Sequence, residues 1–130
     1  MKLLRGLNVV SLTVTDLARA SDFYSNVLGL GEPWFDDETL GWIEWGERGK
    51  DGNIAVTLPS DGSHPGGGTT PVFNTDDCHA LYAELRRRGV RCEEPVVVPG
   101  LLTYCTFYDP DGNRLQAISD PPGKEPRTPS

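Results

Sequence analysis

The chain has 130 residues and a net charge of −7, with 37% hydrophobic and 24% charged residues, the ordinary balance of one globular domain able to bury a core. Its acidity disfavours nucleic acid, whose phosphates require a basic surface, and no apolar run approaches the roughly 20 residues of a membrane helix. No apolar stretch follows residues 1–5, so no signal peptide is expected and the cytoplasm is the expected compartment.

Residues 8–15 alternate, with Val10, Leu12 and Val14 opposed to Val9, Ser11 and Thr13, the period-two pattern of a half-buried strand. Asp16 is placed to cap a helix reaching Leu28, with Ala18, Phe23 and Val27 toward the core and Gly29 as its stop. Short strands over 32–36 and 41–45 are expected around a turn at 37–39. A stronger strand over 53–58 turns Ile54, Val56 and Leu58 to one face. Residues 59–69, rich in Gly, Ser and Pro, read as a flexible link.

The order then repeats. A strand over 70–75 precedes a helix over 77–88 and a strand over 91–98 that contains Pro95. Strands over 102–108 and 113–118 pair across Asp109-Pro110-Asp111-Gly112, a strong turn signal. Pro-rich residues 121–130 are expected to form a flexible tail. Within this plan Thr15-Asp16 is answered by Thr75-Asp76, Ala20 by Ala80 and Gly29-Leu30 by Gly89-Val90, at a constant offset of 60. One domain over 1–120, built from similar halves 7–58 and 70–119, explains that repeat. Strand, helix and three strands, twice over, define an α+β fold of two small curved sheets, each with its helix on one face.

Cys78, Cys92 and Cys105 form no CxxC pair and are odd in number. They read as small buried hydrophobes rather than a disulfide framework or a thiolate zinc site. Arg86-Arg87-Arg88 suits the end of the second helix, where cations meet the helix dipole favourably. His64 and His79 lack a partner at ligand spacing and read as surface residues.

With the apolar alternates turned to the helices, the other face is small, neutral and hydrogen-bonding, as in a ligand cleft. The residues assigned to that cleft are Ser11, Thr13, Trp42, Thr57, Thr70, Asn74, Arg114 and Gln116. Trp34, Trp42 and Trp45 lie close in sequence; Trp42 and Trp45 have opposite parity, so at least one serves packing. Glu32, Asp36, Asp37, Glu38 and Glu44 surround them, which suits an aromatic or cationic small molecule. Glu44 is also the candidate catalytic carboxylate, although a solvent-facing strand position is its ordinary reading. Tyr104 and Tyr108 are the other acid–base candidates.

Asp16-Leu17, Phe23-Tyr24, Val27-Leu28-Gly29-Leu30 and Asp109-Pro110-Asp111-Gly112-Asn113, in this order and with the repeat, resemble the vicinal oxygen chelate superfamily over about residues 7–119. That group includes glyoxalases, bleomycin-resistance proteins and extradiol dioxygenases. The resemblance implies βαβββ modules forming a cleft, usually in a homodimer, where many members hold a divalent metal with His and Glu. By motif spacing the four ligand positions fall at Val9, Thr57, Thr70 and Gln116. A side chain with no donor atom, two hydroxyls and a neutral amide do not make a catalytic metal site. The reading is therefore a cofactor-free, metal-independent protein that sequesters a small molecule. A metal-independent isomerase or lyase ranks second, and a metal-dependent glyoxalase or dioxygenase third.

Overall fold

The structure is a computed structural model that describes residues 3, 7–47, 52–59 and 64–120. The expected tail and part of the interhalf link lie outside the described residues. The chain divides into two compact units, Met1–Thr69 with Pro110–Asn113, and Thr70–Asp109 with Arg114–Ser130. Among the described residues each contains one helical segment and one four-stranded sheet. Among the described residues no helix is long and apolar enough to cross a membrane.

In the first unit β1 (Val9–Thr13) is followed by α1 (Leu17–Asp22), and the helix continues as a π-turn over Phe23–Val27. Three strands follow, β2 (Phe35–Asp37), β3 (Trp42–Trp45) and β4 (Asn53–Thr57), and the sheet order is β1-β4-β3-β2. The β1–β4 pair is parallel and the other two are antiparallel. One face carries Leu12, Val14, Ile43, Trp45, Ile54 and Val56, all buried. Trp45 packs on Tyr24 with ring centroids 5.3 Å apart, and its indole N–H donates to Ser25 Oγ at 2.9 Å.

The second unit repeats the plan with β5 (Val72–Asn74), α2 (Cys78–Arg87), β6 (Val96–Val98), β7 (Leu102–Tyr108) and β8 (Arg114–Ser119), in the order β5-β8-β7-β6. The α2 side is again the core side: the Cys78 thiol donates to Thr103 O at 3.3 Å, and Leu115, Ala117, Cys105 and Phe107 are buried.

Several elements depart from the sequence expectation for identifiable reasons. Ala18 is exposed, and the buried stripe runs through Ala20, Phe23 and Tyr24, about half a helical turn from Ala18. Leu58 lies beyond the end of β4 and is exposed. Asp37 belongs to β2 rather than to the turn. β5 starts only after Pro71, and the third strand of the second half shrinks to Val96–Val98 plus an isolated Cys92–Phe107 bridge. Proline has no N–H to give to a ladder, which shortens both.

The repeat is exact in plan but shifts by one residue inside the helix. Asp16 caps α1 by accepting from Arg19 N at 3.0 Å, whereas Asp77, not Asp76, caps α2 by accepting from His79 N and Ala80 N. Both helices nevertheless end at a left-handed glycine, Gly29 and Gly89. The first helical segment thus holds one residue more between cap and stop. The π-turn takes up that residue, with Leu28 N–H donating to Phe23 O at 2.8 Å.

The start of α1 and the Pro110–Asn113 turn meet in the first unit. Thr15 donates through its hydroxyl (2.7 Å) and its backbone N–H (3.2 Å) to Asp111 Oδ1, which also accepts from Arg19 Nη2 at 2.9 Å. Asn113 donates to Thr13 O and accepts from Gly66 N, holding the 64–69 loop beside β1.

Candidate functional site

Opposed residues of a sheet share a face. The register therefore lines up Thr13, Thr57, Trp42 and Asp37 across the first sheet, and Ser11, Ala55, Glu44 and Phe35 in the next row. This is the face away from Trp45 and the buried apolar row. Four of the expected cleft residues, Ser11, Thr13, Trp42 and Thr57, are thus brought together. Ser11 is exposed and the other three are half-buried. Asn53 and Ala55 also lie on this face but are buried: Asn53 is drawn into hydrogen bonds, and Ala55 sits in register between Ser11 and Glu44.

Glu44 is not solvent-facing. It is only 6% exposed, and its carboxylate receives three N–H donors. Trp42 Nε1 donates to Oε1 at 3.0 Å, while Trp34 Nε1 (3.0 Å) and Asn53 Nδ2 (2.8 Å) donate to Oε2. Burial alone would raise the carboxyl; the donors of Asn53, Trp34 and Trp42 outweigh it and hold the group below its ordinary value of 4.5. Asn53 is itself fixed, donating to Glu47 O at 2.9 Å and accepting from Glu47 N at 3.1 Å. Among the described residues no cationic side chain pairs with Glu44.

Above this carboxylate lies an open groove of about 440 Å³, lined by Trp34, Phe35, Leu40, Trp42 and Glu44. Trp34 and Leu40 remain 38% and 68% exposed, and the Trp34 and Phe35 rings sit 5.4 Å apart. The volume is that of an ordinary small-molecule site. On the same unit a smaller polar recess of about 210 Å³ is lined by Ser11, Leu12, Thr13, His64, Gly67, Thr69 and Asn113. His64, read as a surface residue, is exposed and borders that recess; His79 is exposed on α2.

Thr70, Asn74, Arg114 and Gln116 belong to the second unit. The register places Asn74, Arg114 and Gln116 on one face with Tyr104, Thr106 and Tyr108. Asn74 and Arg114 are exposed, while Thr70 precedes β5 and is half-buried. Gln116 is half-buried and donates to Thr106 Oγ1 at 3.0 Å. The Tyr108 hydroxyl donates to Glu93 at 2.6 Å, which pushes its titration up, and Arg91 stacks 4.1 Å over its ring. Burial raises all three thiols, Cys105 to about 11, so none is a thiolate nucleophile at neutral pH.

The metal positions implied by the resemblance divide between the units, Val9 and Thr57 in the first, Thr70 and Gln116 in the second. Their donor set does not fit a catalytic divalent ion: Val9 offers no donor atom, none of the four is charged, and the Gln116 amide is engaged by Thr106. Among the described residues no three His, Cys, Asp or Glu side chains come together in a way that could hold a metal.

The sequence profile of the Glyoxalase/Bleomycin resistance protein/Dioxygenase superfamily matches residues 6–117, and the chain belongs to that superfamily. Among solved structures it is similar to a glyoxalase/bleomycin resistance/dioxygenase superfamily member from Sphaerobacter thermophilus DSM 20745, at 28% identity and TM-score 0.74, covering 90% of this chain and 98% of that one. It is also similar to TnmS3, an antibiotic binding protein from Streptomyces sp. CB03234, at 26% identity and TM-score 0.74, covering 90% and 97%. A glyoxalase/bleomycin resistance protein from the same Streptomyces strain matches at 27% identity and TM-score 0.69, covering 86% and 98%. No curated protein sequence matches the chain.

Proposed function

We propose that this chain is a cytoplasmic, metal-independent binding protein that captures an aromatic or cationic small molecule and works as a homodimer. The observation that carries the reading is the aromatic groove over Glu44, whose apolar wall and single carboxylate are those of a recognition site. The neutral, incomplete donor set at the ligand positions supports it. So does the similarity to TnmS3, a protein named for antibiotic binding. The acid–base alternative has no support from the geometry. Glu44 is held ionised by three donors and is a weak base, and Tyr108 is held protonated.

Native mass spectrometry of the full chain, purified without added metal or chelator, tests the reading. The expected species is a metal-free dimer that retains a small organic adduct, released unchanged on denaturation. One tightly held divalent ion per chain, with conversion of the bound molecule, would overturn it.

A further inference from the structure

The Glu44 carboxylate is buried, carries a negative charge and has no cationic side chain paired with it among the described residues. Its hydrogen-bond donors are neutral, two indoles and one amide, so they spread the charge without cancelling it. The groove that opens over it is walled by aromatic and aliphatic surface. A charge left in this state ordinarily finds a partner, and a groove open to solvent admits one from outside.

The indoles add a second reason. Each gives its ring N–H to the carboxylate, which leaves ring surface lining the groove. An N–H bound to an anion polarises the ring toward its π face. Cations are attracted to that face within about 6 Å of the ring centre, and indole is the best side chain for it. The carboxylate and the two rings therefore favour the same sign of charge at the same place.

We propose that the Trp34–Trp42–Glu44 groove is the site of an organic ammonium cation carried by a free small molecule. This deepens the binding reading and rests on it. A neutral aromatic would fill the groove and leave Glu44 without a cationic partner among the described residues. A hydrated inorganic cation would gain little from the apolar walls. An alkylated ammonium satisfies both, because its charge is spread over methyl groups that pack against rings.

The test is a titration of the full chain, followed by tryptophan fluorescence, with phenyltrimethylammonium and with its neutral isostere tert-butylbenzene. The two have the same shape and differ in charge. The expected result is preference for the cation by about tenfold or more, weakened by added salt. Glu44→Gln should bring the two probes to parity. Where Glu44→Gln does not fold, Trp34→Ala, at an exposed ring, should lower cation affinity several-fold and leave the fold intact. Equal binding of the two probes by the wild type would overturn the proposal and leave small-molecule capture standing. No binding of phenyltrimethylammonium at about 10 mM, weaker than the weakest useful affinity, and none of tert-butylbenzene up to its solubility, would overturn the groove as the site. The adduct seen in native mass spectrometry would then decide the binding reading separately. A trimethyl-lysine peptide carries the same head on a macromolecule, and tighter binding of that peptide than of phenyltrimethylammonium would overturn the free-molecule source.

Discussion

Glu44 shows how neighbours decide what a residue does. Read along the strand it is a charge between two tryptophans, and a strand charge is ordinarily solvated. The structure buries it because Trp34, Trp42 and Asn53 all bring N–H groups to one carboxylate. Replacing Glu44 by Gln leaves at least one of those donors facing an amide N–H₂, a buried polar mismatch costing about 1–3 kcal/mol in chemical denaturation. The pH dependence follows with a fixed sign. Because the folded-state carboxyl titrates below 4.5, its contribution is present above the unfolded value and is lost as pH falls through the folded one. Glu84, held down to about 2 by Arg87 and Arg88, titrates in both proteins. The difference in stability between wild type and Glu44→Gln should therefore be constant above pH 5 and shrink below about 4.5. A difference unchanged down to pH 3 would mean that Glu44 is not held ionised.

At the scale of elements, the chain leaves β3 through a glycine packed against Asn53. Gly46 has φ +125, and a Cβ built there would lie 1.9 Å from Asn53 Oδ1. Asn53 is the residue that ties Glu47 to Glu44, so Gly46 and the carboxylate are joined through a single amide. Gly46→Ala should cost on the order of 2–4 kcal/mol, from backbone strain plus displacement of Asn53. It should cost measurably less in an Asn53→Ala background, where only the strain remains. Equal cost in the two backgrounds would show that Gly46 and the Glu44 cluster are independent. The helices make a related point about legibility. The cap of the first helix, both stops and the internal repeat were readable because Asp16, Gly29 and Gly89 act locally. The extra residue of the first helix was not, because a π-turn differs from an α-turn only in which carbonyl accepts the bond. The alternation of β1, β4 and β8 separated the core face from the open face, and opposite parity within β3 separated Trp45 from Trp42. It could not reveal that Trp34, outside any strand, reaches Glu44 with its ring nitrogen.

For the molecule as a whole, superfamily membership leaves the metal question to the side chains, since one fold serves both binding and metal chemistry. The ligand positions that the resemblance implies, spaced from Asp16 and the Asp109–Gly112 turn, carry neutral residues. This makes a thermodynamic statement about the intact chain. A resident ion with a dissociation constant near 1 μM, added at 100 μM, would stabilise the folded state by about 2.7 kcal/mol. For a chain of this size that is a rise in Tm of roughly 10 °C. If the proposed metal-independent reading holds, zinc, manganese, nickel and iron(II) at that concentration move Tm by less than about 1 °C, and a chelator likewise. Phenyltrimethylammonium at saturating concentration should raise Tm, since it binds only the assembled groove. A metal-dependent rise without a cation-dependent one would transfer the site from Glu44 and its indoles to ligands that the sequence spacing did not locate.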